Sequence, residues 1–235
     1  MNNFIDWDSL IVPSKDIQVT KMRVFDSDIL VLDNVLTEES FSNLSEVSKT
    51  LSISQYNEPP LDRGFIDARF NGVQQLKPIV NIVLNCVRQY WSAELATDPD
   101  FTWAINYFKS LDTSLPFIGG APHVDGVEGV AALMYLNKHK VEGTAMYKSA
   151  TGVSRVRHPR QGMSNRYSHD YRFTAKNFED NFSAREVISG EPNRMIIYNR
   201  DVYHAASHTE NEHTTEYRRT LVSFYSALFS YSEAE

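Results

Sequence analysis

His123 and Asp125 stand two positions apart, in a short segment enclosed by Gly119 to Pro122 before it and Gly126 after it. Successive side chains of a strand alternate between its two faces, so residues two apart point the same way. A second imidazole, His204, comes from a distant part of the chain. A fold that brings all three side chains to one ion must place distant strands side by side.

Two histidines and one carboxylate occupy one face of an octahedron and leave three positions open. That arrangement suits non-heme Fe(II), whereas a structural zinc site uses four protein ligands. Cys86 is the only cysteine, so cysteine ligation offers no alternative. We therefore predict that His123, Asp125 and His204 are metal ligands and form the catalytic centre. His208, four residues after His204, is the alternative ligand if the strand register differs.

Apolar runs around these residues predict a series of strands. Val130 to Asn137 reads as a largely buried strand. Asn193 to Tyr198 predicts a second strand, Asn199 to Asp201 a turn, and Val202 to Ala205 the extended piece that carries His204. The run that opens at Arg218 predicts a last strand. Alternation places on one of its faces Arg218, Thr220, Val222 and Phe224.

The amino-terminal part adds helices. Asp28 to Asn34 predicts a short strand, and Thr37 then caps a helix that runs to about Leu51. Apolar residues at helical spacing from Leu76 to Trp91 predict a long amphipathic helix, with Pro78 near its start. From Phe101 onward the pattern is that of strands.

We therefore expect a mainly β fold with flanking α-helices, a double-stranded β-helix or jelly roll with N-terminal helices packed on the major sheet. Residues 1–235 would form one domain, because a chain of this size with 42% hydrophobic residues buries one good core. Within it, residues 1–99 would be a support region of strand and helix, and residues 100–228 the β core. Residues 145–190 would be an inserted loop or lid.

Composition excludes some classes of function. A formal charge of −7 gives no basic footprint of the kind that wholesale binding to nucleic acid needs. The amino terminus lacks the basic start and apolar stretch of a signal peptide, and no run approaches a membrane span. We expect a soluble, cytoplasmic protein in which Cys86 is a buried thiol.

Together these features resemble the 2-oxoglutarate/Fe(II)-dependent dioxygenases, particularly the prolyl-hydroxylase-like branch and short, uncharacterised phage-type relatives. The resemblance covers roughly residues 100 to 228. It lies in His123-x-Asp125, the strand that ends Tyr135-Leu136-Asn137, the Gly143-Thr144 turn, His204, and Arg218 fourteen residues later. If the chain is phage-encoded, its compartment would be the host cytoplasm.

The resemblance implies Fe(II), 2-oxoglutarate as cosubstrate, O2, and ascorbate as a reductant. It implies that Arg218 binds the far carboxylate of 2-oxoglutarate and that Tyr135 helps to hold it, and we take Thr220, on the same strand face as Arg218, as a third cofactor-binding candidate. A guanidinium matches a carboxylate with two parallel hydrogen bonds, which lysine does not. Arg219 remains the alternative anchor.

The resemblance also implies a reaction, hydroxylation of an unactivated C–H bond with formation of succinate and CO2. The same kind of site can desaturate, whereas Asp125 argues against halogenation. Phe224 stands where relatives that repair alkylated nucleic acid have a second arginine, so that subclass is not expected. Two other readings stay open: a cupin-type metalloenzyme that does not use 2-oxoglutarate, and a non-catalytic jelly-roll interaction module.

A cationic segment is the only pointer to a substrate. Between residues 148 and 172 a single anion, Asp170, accompanies the six cations Lys148, Arg155, Arg157, Arg160, Arg166 and Arg172. Long loops on rigid scaffolds often act as lids or binding surfaces. We hypothesise that this loop receives an anionic substrate, with a solvated loop as the alternative. The sequence identifies neither the primary substrate nor the oligomeric state.

Overall fold

The computed structural model describes residues 7–50, 53–54, 65–71, 76–91, 101–111, 124–125, 129–149, 182–207 and 218–227. The helices are α1 (Trp7–Leu10), α2 (Glu38–Thr50) and α3 (Lys77–Trp91). The strands are β1 (Gln18–Val24), β2 (Ser27–Asp33), β3 (Ile53–Ser54), β4 (Phe65–Asn71), β5 (Phe101–Leu111), β6 (Val130–Tyr135), β7 (Val141–Ser149), β8 (Phe182–Gly190), β9 (Met195–Asn199), β10 (His204–Ala206) and β11 (Arg218–Ala227).

The strands form two antiparallel sheets. The large sheet has the order β1-β2-β9-β6-β11-β5-β4-β3, and the small sheet has the order β10-β7-β8. Strands from the predicted support region, β1 to β4, therefore share one sheet with strands of the predicted β core. The mainly β class with flanking helices is confirmed.

Local sequence signals explain both long helices. The Oγ1 of Thr37 accepts the backbone N–H of Ser40 at 3.3 Å, and Glu38 and Glu39 lie in the first turn of α2, where acidic side chains complement the helix dipole. In α3 the apolar face buries Ile79, Val83 and Val87. Both predicted helices are confirmed to within about one residue at each end.

The central strands of the large sheet, β2, β9, β6 and β11, are buried on both faces. One face packs against α2 and α3, where Leu44 and Val83 join Leu32, Met134 and Leu221 in a hydrophobic core, the outer core. The other face packs against the small sheet, with the residues of this inner core coming from both sheets. They include Val31, Leu133, Tyr135, Met146, Ile188, Tyr198 and Val222. A chain with two buried sheet faces needs the long apolar runs that the sequence shows on β6 and β9.

Two sequence predictions need correction. Gly143 and Thr144 do not form a turn, because both lie within β7. The register of β7 against β8 shifts between Val141 and Thr144, and a Cβ on Gly143 would collide with the backbone carbonyl of Ile188. Glycine is therefore required there by the close approach of two strands rather than by a reversal of the chain.

The predicted insert over residues 145–190 is also too long. Its first residues, 145 to 149, continue β7, and its last nine form β8. Its cationic part beyond Ser149 lies outside the described residues, as do His158, His169, His208 and His213. No helix in the described part of the chain is long and apolar enough to cross a membrane.

Candidate metal and anion site

The described part of the predicted metal site is an aspartate and a histidine in direct contact. His204 opens β10 and is 6% exposed, and its Nε2 lies 3.2 Å from the Oδ2 of Asp125. Asp125 lies at a bend and not in a described strand, whereas His123 lies outside the described residues. The structure thus brings together two of the three predicted ligands, which the sequence separates widely.

The hydrogen bonding of His204 determines which cation can lie between its imidazole and the Asp125 carboxylate. Its Nδ1 lies 3.0 Å from the backbone carbonyl of Val202. A carbonyl only accepts, so Nδ1 carries the proton and a neutral imidazole presents its Nε2 lone pair to the carboxylate. Two facing acceptors repel each other, so a cation must join them, either a proton on Nε2 or a metal ion.

The geometry fits a metal. Two ligands about 2.1 Å from one ion and at right angles to each other lie about 3.0 Å apart, close to the observed 3.2 Å. The bond from Nδ1 to a carbonyl is also the usual support of a metal-binding imidazole. No group of three His, Cys, Asp or Glu side chains is gathered among the residues that the structure describes. A third protein ligand would therefore have to come from outside them.

Tyr198 packs against this pair. Its ring centroid lies 4.7 Å from that of His204, and its hydroxyl lies 3.5 Å from the Oδ2 of Asp125. Tyr198 is 1% exposed and belongs to the inner core. The aromatic ring limits the freedom of the imidazole, and the hydroxyl faces the oxygen that the histidine also faces. The sequence analysis treated Tyr198 only as a strand residue.

A second polar cluster lies on the same inner face. Arg218 is 2% exposed, and its Nη2 donates to the Oγ1 of Thr144 at 3.1 Å. Its Cζ lies 5.3 Å from the ring centroid of Tyr135, and the hydroxyl of Tyr135 lies 2.8 Å from the same Thr144 oxygen. We call Arg218, Tyr135 and Thr144 the anion pocket.

Charge makes this pocket a candidate anion site. No carboxylate pairs with Arg218 within the described ranges, and its Nε is buried there without a hydrogen-bond partner. A buried cation without a counter-ion is costly, by several kcal/mol for the ion. A carboxylate ligand would accept from the guanidinium and offset that cost.

The two predicted arginines lie on opposite faces of β11. Arg218 stacks on Tyr135 at the inner face, whereas the neighbours of Arg219 on its own side of the strand, Leu221 and Tyr225, belong to the outer core. The backbone N–H of Arg219 donates to Asn137 Oδ1 at 2.7 Å. Arg218, and not Arg219, therefore faces the space that holds His204.

Thr220 and Thr144 differ from the sequence expectation. Thr220 is buried on β11 and lies in register with Tyr135, but the threonine that bonds both Arg218 and Tyr135 is Thr144, from the facing sheet. Thr144 was missed because its segment was read as a turn. Its alternation with Ala145, Met146 and Tyr147 was the available signal.

The small sheet sets the spacing between the metal pair and the anion pocket. His204 pairs directly with Met146, and Thr144 lies two residues further along β7 on the same face. Two residues of a strand span about 7 Å. Both clusters thus face the interior between the sheets.

Arg200 is a third residue that the sequence analysis missed. It lies in the turn between β9 and β10, and its Nη2 donates to the backbone carbonyl of Asp125 at 2.7 Å. Burial lowers the pKa of Arg200, while the nearby Asp125 and Tyr198 act in the opposite direction. Nothing in local periodicity marks such a long-range bond to a main-chain atom.

Comparisons with known proteins add the following findings. The model of a family of unknown function (DUF6445) matches residues 104–220, just under half of the chain, a range that includes Asp125, His204 and Arg218. No curated protein matches the chain.

Several solved structures are similar to the chain at low sequence identity. A prolyl-4-hydroxylase from Pseudomonas putida is 11% identical, with a TM-score of 0.46 and coverage of 94% of this chain and 96% of that one. HygX from Streptomyces hygroscopicus, with nickel, 2-oxoglutarate and hygromycin B bound, is 11% identical, with a TM-score of 0.45 and coverages of 84% and 82%. The α-ketoglutarate-dependent carbocyclase SnoK of nogalamycin biosynthesis is 13% identical, with a TM-score of 0.49 and coverages of 86% and 81%. Because identities are this low, the function proposed below rests on contacts of this chain's own residues.

Proposed function

We propose that the protein is a 2-oxoglutarate- and Fe(II)-dependent oxygenase built on a double-stranded β-helix. One observation carries the proposal: a buried arginine that pairs with no carboxylate among the described residues and a metal-type Asp–His pair face the same interior, two strand residues apart along β7. Two strand residues span about 7 Å along β7, and the four C–C bonds of an extended five-carbon diacid span about 5 Å, so we propose that such a diacid reaches from one cluster to the other.

Each residue then has a task. Asp125 and His204, with His123 as the third ligand, would hold Fe(II). Arg218 would donate to the far carboxylate of 2-oxoglutarate, while Thr144 and Tyr135 fix the guanidinium and add a hydroxyl to the pocket. The apolar inner core around them, including Val222 and Leu133, would exclude water from the bound cosubstrate.

Bound Fe(II) would supply the activation of O2, coupled to decarboxylation of 2-oxoglutarate to succinate and CO2. One oxygen atom would enter succinate and the other the substrate, so that a C–H bond becomes C–OH. Ascorbate would serve only to keep the iron reduced. We also propose that the primary substrate is anionic and is received by the cationic segment that follows β7 in the sequence.

An anaerobic titration tests this function. The apo-protein receives Fe(II) and then 2-oxoglutarate, and the weak visible charge-transfer band of the chelate is recorded for the wild type, His204→Ala and Arg218→Met. We expect a band in the wild type, none in His204→Ala, and a band that needs far more 2-oxoglutarate in Arg218→Met. Iron binding without a band in the wild type would favour the cupin-type metalloenzyme, and absence of iron binding would favour an interaction module.

A further inference from the structure

The turn between β9 and β10 holds both described members of the metal pair. His204 follows this turn directly, and the turn closes with a hydrogen bond from the backbone N–H of Val202 to the carbonyl of Asn199 at 3.1 Å. The carbonyl of Val202 accepts from the imidazole. The orientation of His204 is therefore set by the turn from which it emerges.

Asp125 is fixed to the same turn through Arg200. Its backbone N–H donates to the carbonyl of Arg200 at 2.8 Å, and its own carbonyl accepts from Nη2 of Arg200 at 2.7 Å. The backbone N–H of Arg200 donates in turn to the carbonyl of Gly129 at 3.1 Å. Arg200 thus holds both described ends of the segment that joins Asp125 to β6.

The guanidinium is itself held in place. Its Cζ lies 5.3 Å from the ring centroid of Phe224, on the inner face of β11, which is a distance for cation–π attraction. Its charge lies near the Asp125 carboxylate and attracts it. Because the aromatic ring and the main-chain carbonyl already fix the guanidinium, Arg200 loses little further conformational freedom when it positions Asp125.

We propose that Arg200 is the positioning residue of the Asp125 ligand, joining the bend that carries the aspartate to the turn that carries the histidine. It would act through Asp125 and not as a metal ligand itself. Its effect is to hold the two ligand atoms at a fixed separation before any ion binds, so that the site does not reorganise on binding. The inference rests on the metal site of the proposed function but not on its use of 2-oxoglutarate.

The test measures metal affinity without turnover. Apo-protein is titrated anaerobically with Co(II), a spectroscopic probe, by calorimetry and by its visible absorption, for the wild type, Arg200→Met and Arg200→Lys. Loss of a residue that orients a metal ligand typically weakens binding about 10- to 100-fold. We expect Arg200→Met to fall in that range with an altered Co(II) spectrum. Arg200→Lys, which keeps the charge and one donor, should recover part of the affinity.

Arg194→Met is the matched control. Arg194 is likewise partly buried and lies directly before β9, where its Nε and Nη2 donate to the carboxylate of Asp33 at 2.7 and 3.0 Å. Its removal should lower the thermal midpoint and leave Co(II) affinity unchanged. If Arg200→Met binds Co(II) with wild-type affinity and spectrum, or loses no more than Arg194→Met, Arg200 is not the positioning residue.

The two proposals fail in different ways. If the wild-type protein binds Co(II) but not 2-oxoglutarate, the oxygenase function is overturned. The Co(II) affinities of the Arg200 variants then still decide the role of Arg200. Wild-type protein that binds no Co(II) would overturn both. If Arg200→Met does not fold, Arg200→Lys decides alone: unchanged affinity and spectrum contradict the inference, and weakened binding at an unchanged thermal midpoint supports it.

Discussion

The two faces of the large sheet use the same strands for different purposes. On the outer face, β6, β9 and β11 give Met134, Ile197 and Leu221 to the hydrophobic outer core against the helices. On the inner face the same strands give Tyr135, Tyr198 and Arg218. Burying polar groups is favourable only when each finds a partner. The outer face therefore serves stability, and the inner face carries groups whose partners include each other and, we propose, ligands.

Removal of the histidine ligand is expected to have the largest effect. His204→Ala deletes one of the two described side chains that we propose as metal ligands, whereas loss of an orienting residue alone typically costs about 10- to 100-fold. We expect Co(II) binding to weaken by more than about 100-fold, measured by calorimetry on apo-protein. Such a loss would show that metal binding depends on a side chain of the inner face, whereas the outer face carries no such residue among those described.

Two further histidines serve as controls. His139 is exposed, so His139→Ala should bind Co(II) like the wild type. His208→Ala tests the other candidate read from the sequence. Wild-type affinity in His204→Ala together with its loss in His208→Ala would reassign the ligand.

The neighbouring arginines of β11 allow the two faces to be compared directly. Arg218→Met removes the buried cation of the anion pocket, and truncating one partner of a buried charge pair costs about 2 to 5 kcal/mol. We expect 2-oxoglutarate to bind Co(II)-loaded protein about 100- to 1,000-fold more weakly. Arg219→Met, on the outer side of the strand, should change this affinity by less than about threefold, because rim and remote groups contribute little.

Calorimetry with 2-oxoglutarate on both Co(II)-loaded variants gives the comparison, and succinate serves as a ligand that lacks the chelating keto acid. An effect of Arg219→Met that equals or exceeds that of Arg218→Met would place the anchor on the other face. It would also contradict the spacing argument for the five-carbon diacid.

The outer face should respond in stability and not in binding. Leu44 is fully buried where α2 meets the sheet, and truncation of such a side chain costs about 2 to 5 kcal/mol. Because α2 lies at the surface and can relax, we expect Leu44→Ala to lower the free energy of unfolding by about 2 to 3 kcal/mol. Urea unfolding measures this, and Co(II) affinity measured under native conditions should stay unchanged. A parallel loss of affinity would mean that the two cores are coupled.

The sequence predicted the elements whose residue patterns repeat along the chain. The cap at Thr37 located α2, helical spacing located α3, and alternation on β11 correctly separated the faces of Arg218 and Arg219. Each of these signals is local, since it arises from the geometry of one element.

The contacts that join elements could not be read in this way. Thr144 reaches Arg218 only because β7 crosses in the facing sheet, and its strand was hidden by Gly143, which the close approach of β8 requires. Arg200 donates to the main-chain carbonyl of Asp125, a group that every residue has. The place of His123 stays a prediction, because that residue lies outside the described part of the chain.

The smallest expected effect comes from the hydroxyl at the centre of the anion pocket. Thr144→Val keeps the shape of the side chain but removes the oxygen that accepts from Arg218 and pairs with the Tyr135 hydroxyl. One net hydrogen bond is worth about 1 kcal/mol, or roughly fivefold in affinity, so we expect 2-oxoglutarate to bind about fivefold more weakly with metal affinity unchanged. Thr144→Ser, which keeps the hydroxyl, should bind like the wild type. If Thr144→Ser weakened 2-oxoglutarate binding as much as Thr144→Val, the contribution of Thr144 would be packing of its methyl group. At this position the inner face would then act by packing, as the outer face does, and not by hydrogen bonding.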